Sequence, residues 1–104
     1  MSLTLEEMVV KHEALPMPES ASDDVLDDLI FMAHDQETMV LGYADALMSG
    51  VSPGFDLDAG RIEKHIAELN RFENLNTSDL IVRQELLNRL NSLVVIRDYL
   101  RTAN

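Results

Sequence analysis

Apolar positions recur along this chain with helical, not alternating, spacing. The clearest run is "SDDVLDDLIFMAHDQETMVLGYADALMSG" (22–50). Its narrow stripe is Leu26, Ile30, Ala33, Glu37, Val40, Leu41, Ala44 and Met48. A second row, Val25, Leu29, Met32, Met39, Tyr43 and Leu47, lies beside it, so this helix meets more than one neighbour. Ser22 is the predicted N-cap, Asp23 and Asp24 suit the first turn, and Gly50 suits the C′ position.

Three other segments follow the same period. "TLEEMVVKHEAL" (4–15) predicts a short helix with a Thr4–Glu7 capping box and an apolar face of Leu5, Met8, Val9 and His12. Pro16 and Pro18 end it. After the turn-rich "VSPGFDLDAG" (51–60), a helix over 59–75 carries Ile62, His65, Ile66, Leu69 and Phe72 on one face. Thr77 is the predicted cap of a last helix over 79–102, with a stripe of Leu86, Leu87, Leu90, Leu93, Val94 and Leu100. Glu85 and Arg89 have favourable i,i+4 spacing there.

These elements predict an all-α fold, a small helical bundle of two long antiparallel helices, a shorter middle helix and a short N-terminal helix. The long helices span roughly 36–42 Å at 1.5 Å per residue. Residues 1–21 read as an N-terminal arm, and 22–104 as the bundle domain.

Composition narrows the function classes. Only 5% of residues are aromatic and none is Trp, so Leu, Ile, Val, Met and Ala must fill the core. The absence of Cys excludes disulfides, thiolate catalysis and Cys-type zinc sites. It also favours a reducing compartment. With no basic n-region and no membrane-length apolar run, a cytoplasmic location is expected. The net charge of −11 is uneven, with −12 in residues 1–60 and +1 in 61–104. No basic footprint for nucleic acid or an anionic membrane is left. The acidic half serves solubility or faces a basic partner.

No phosphate loop, dinucleotide fingerprint or nucleophile elbow is present. "DDVLDD" (23–28) splits its carboxylates over two sides of one helix and reads as a solvated edge. The sharper feature is Glu37, a carboxylate inside an apolar stripe. With His34 and His65 it makes a candidate metal site, three inward ligands with an open position. That spacing is His-x-x-Glu, the reverse of the order usual in di-iron bundles. The favoured explanation is an interhelical ion pair of Glu37 with Arg83 or Arg97, which also interrupt an apolar stripe. Such a pair would set the register of the two long helices. His65 then becomes a core-edge histidine.

Phe31, Met32, Met39 and Tyr43 flank the main stripe and form a candidate interaction surface. The expectation is a non-enzymatic protein–protein interaction module (adaptor, chaperone or regulator) that needs no cofactor and works as a homodimer. Its partner would be another protein, with no nucleic acid and no membrane. The alternatives are a metal-binding or metalloenzyme bundle built on His34, Glu37 and His65, and an acidic nucleic-acid mimic.

Overall fold

A computed structural model describes residues 3–102 and shows an all-α bundle. Four helices follow in order: α1 (Leu5–Glu13), α2 (Asp24–Met48), α3 (Arg61–Asn70) and α4 (Thr77–Thr102).

Local chemistry sets the ends. Thr4 and Glu7 close the predicted capping box reciprocally, each side chain accepting from the other's backbone N–H at 3.1 Å. The cap of α2 is Asp23, one residue past the expected Ser22, and its carboxylate accepts from the Val25 and Leu26 amides. Ser22 is engaged elsewhere, as a donor to Asp79. At the far end Gly50 takes φ 72°. The Gly50 amide donates to Leu47 and the Val51 amide to Ala46, the paired bonds of a Schellman motif. Asn76 caps α4 in place of the expected Thr77, accepting from the Asp79 amide at 2.7 Å.

The long helices are parallel, which corrects the expected antiparallel pair. The starts of α2 and α4 are tied by Ser22 and Asp79, their middles by Glu37 and Arg89, and Tyr43 and Arg101 line one cavity near their ends. The reason is the middle helix. It returns down the bundle, with Glu63 paired to Arg97 and the Phe72 carbonyl bound by Arg83. A long helix on each side of one return helix must run the same way.

α1 also belongs to the bundle. It descends beside α2 and α4, with Leu3 level with Val95 and the Leu15 carbonyl bound by Arg89. His12 of α1 is fully buried. The core is Leu26, Leu29, Ile30, Val40, Ile62, Leu69, Leu86, Leu90, Leu93, Ile96 and Leu100, all at most 2% exposed. Each such side chain stabilises the fold by roughly 1.5–3 kcal/mol relative to exposure.

Candidate functional site

The only carboxylate on α2's apolar stripe is also the centre of a polar cluster inside the bundle. Glu37 keeps 12% of its side-chain exposure. Its Oε1 lies 2.5 Å from His12 Nε2 and also accepts from the Arg89 guanidinium. Arg89 makes two further bonds, to the Leu15 carbonyl at 2.6 Å and the His12 carbonyl at 3.3 Å. The other ring nitrogen of His12, Nδ1, lies 2.8 Å from Ser92 Oγ.

Three helices therefore supply one network: His12 from α1, Glu37 from α2, Arg89 and Ser92 from α4. Burial pushes the Glu37 carboxyl up. The His12 hydrogen bond and the Arg89 charge outweigh it and hold the carboxyl below its ordinary value. Because a carboxylate only accepts, Nε2 of His12 carries hydrogen. In the neutral ring Nδ1 is then an acceptor for the Ser92 hydroxyl. The sequence Ser–His–carboxylate is thus assembled in order, with Arg89 balancing the charge of Glu37.

The expected ion pairs fall elsewhere. Arg83 donates to the Phe72 carbonyl at 2.8 Å. Arg97 forms a bidentate pair with Glu63 at 2.5 and 2.8 Å and reaches Asp98 at 3.1 Å. Neither meets Glu37, because both lie on the α3 side of α4 whereas Glu37 faces α1. Glu63 is held below its ordinary value, first by the Arg97 hydrogen bonds.

The candidate metal ligands also diverge. His34 is half exposed, with Nδ1 3.9 Å from Glu37 Oε2. His65 lies across the bundle in a cavity of about 310 Å³ with Met32, Asp35, Gln36 and Arg61. Burial pushes its imidazole down, and Nδ1 has no hydrogen-bond partner among the described residues. Among the described residues no three His, Asp or Glu side chains are placed to hold a metal ion. The His34–Glu37–His65 site is not formed.

The candidate interaction row is partly exposed. Phe31 is 64% exposed, Met32 43% and Met39 37%. Tyr43 is buried and leaves the row, packed edge-on against Phe55 with ring centroids 5.7 Å apart.

A second polar knot ties the helix starts. Buried Asp79 accepts from the Ser22 amide and hydroxyl and from the Asp23 amide, at 3.1, 2.6 and 3.1 Å. The Ser22 hydroxyl does most to hold its carboxyl below the ordinary range.

Sequence reasoning missed His12, Arg89 and Ser92 as site residues. His12 was visible on α1's apolar face, and Arg89 stands between Leu86 and Leu93 of the α4 stripe. No helix is long and apolar enough to cross a membrane among the described residues. No family model, curated protein or solved structure matches this chain.

Proposed function

We propose that the chain is a non-enzymatic protein–protein interaction module, a small acidic cytoplasmic adaptor, chaperone or regulator that acts as a homodimer. The observation that carries this reading is the exposure of Phe31, Met32 and Met39 on α2. Exposed large apolar side chains on a small bundle favour a protein partner.

Shape supports the second copy. The radius of gyration is 14.4 Å, against about 13 Å for a compact chain of this length. The accessible surface is 6420 Å², where a monomer of this mass has about 5,900 Å². A stable interface takes roughly 800 Å² from each partner, about one-eighth of that surface. The cavity beside Met32 carries both Asp35 and Arg61, so self-association there joins opposite charges as well as apolar side chains.

Sedimentation equilibrium on wild type and Met39→Asp tests the proposal. A wild-type dimer that becomes a folded monomer on substitution supports it. Equal self-association of the two proteins places the interface elsewhere, and a monomeric wild type refutes the homodimer.

A further inference from the structure

The Ser92 hydroxyl does more than fill a hydrogen bond. It lies in the wall of an apolar cavity of about 260 Å³ between α1 and α4, with Met8, Leu15, Val95 and Ile96. One cation, Lys11, shares that lining. Behind Ser92 stand His12 at 2.8 Å and then Glu37 at 2.5 Å. These are independent features: a serine backed by an oriented base, and an apolar chamber beside it with a cation in its wall.

We propose that Ser92 is an acyl-accepting nucleophile, and that the α1–α4 cavity receives the apolar chain of an activated acyl ester or thioester. This is a modification site on the interaction module, and it does not depend on the dimer. Glu37 is a positioning residue. Its carboxylate holds the Nε2–H tautomer, so that Nδ1 faces Ser92 as a base.

The step balances within these groups. The Ser92 Oγ lone pair bonds to the acyl carbonyl carbon while its proton moves to His12 Nδ1. The carbonyl π pair moves onto oxygen. Backbone amides of α4 around Ser92 are committed to the helix ladder, so Lys11 is the group that meets this negative charge. When the pair returns, the bond to the leaving thiolate or aryloxide breaks. That group takes the proton from His12, and the acyl group remains on Oγ.

The test uses the full chain and p-nitrophenyl hexanoate. Intact mass spectrometry and peptide mapping follow acylation, and absorbance follows nitrophenolate release. The expected result is one acyl group per chain, on Ser92, formed about 100-fold faster than in the urea-unfolded chain, as general-base assistance predicts. Ser92→Ala abolishes it while circular dichroism stays native. Glu37→Gln slows it at least about tenfold under conditions where the helix signal is unchanged. A native chain acylated no faster than the unfolded one overturns the proposal. So does an adduct on Lys11, or labelling that survives Ser92→Ala.

Discussion

Replacing Glu37 by Gln removes one charge from a cluster that is almost wholly enclosed. Glu37 and Arg89 keep only 12% and 10% of their side-chain exposure, so solvent screens the loss poorly. Breaking a buried pair by removing one partner costs about 3–5 kcal/mol. The amide oxygen of Gln still accepts one bond from Arg89 or His12, which reduces the expected cost to about 2–4 kcal/mol. That is a large share of the roughly 5–15 kcal/mol available to a small domain. With a urea slope of about 1.5 kcal/mol per molar, the midpoint falls by roughly 1.3–2.7 M. Urea titration at pH 7, followed by circular dichroism, measures it. A cycle with Arg89→Gln should give a coupling of about 1–3 kcal/mol, because the groups touch. A Glu37→Gln midpoint within about 0.3 M of wild type would show that the cluster is not held as described.

Acid should unfold the protein through its depressed carboxyls. Glu37, Glu63 and Asp79 all have folded pKa values below their unfolded ones. Between the two values the unfolded chain binds more protons, so the stability they contribute is present above about pH 4.5 and lost as pH falls through their folded values. Urea midpoints from pH 6 to pH 2.5 check this, and Glu37→Gln should have the shallower acid limb. His65 contributes in the same direction at higher pH. Burial lowers its pKa from 6.5, so stability is full above that value and declines below it. His65→Asn should flatten the stability profile between pH 7 and pH 5. Asp79→Ala should lower the thermal midpoint more than Asp79→Asn, since the amide oxygen still accepts from the Ser22 and Asp23 amides. Equal losses in a melting experiment would show that Asp79 does not stabilise the fold as an acceptor.

Helices were legible wherever one strong local signal acted. The Thr4–Glu7 box, the Gly50 stop and the apolar period of α2 each decide a few residues at a time, and the structure follows them. Direction was not legible from stripe length, since two long helices match equally well parallel or antiparallel. The return helix between them decides it. Glu37 stood out as a carboxylate on an apolar stripe, yet its partner could not be chosen from the α4 stripe alone. Arg83 and Arg97 interrupt that stripe on the flank facing α3, whereas Arg89 interrupts it on the flank facing α1. α1 packs against that second flank and brings His12 between Glu37 and Ser92, a contact that no local spacing encodes. Met32 and Met39 share one row of the helical period, with Phe31 roughly 80–100° round the helix from them, and all three are exposed. Tyr43 shares that row, but the connector's Phe55 covers it, a contact that no local pattern encodes.

The homodimer is the central functional claim, and native mass spectrometry of untreated protein at micromolar concentration tests it directly. The expected spectrum has a dominant species at twice the 11.7 kDa chain mass, with no metal adding to it. A lone monomer at tens of micromolar, or a stoichiometric metal adduct, would contradict it.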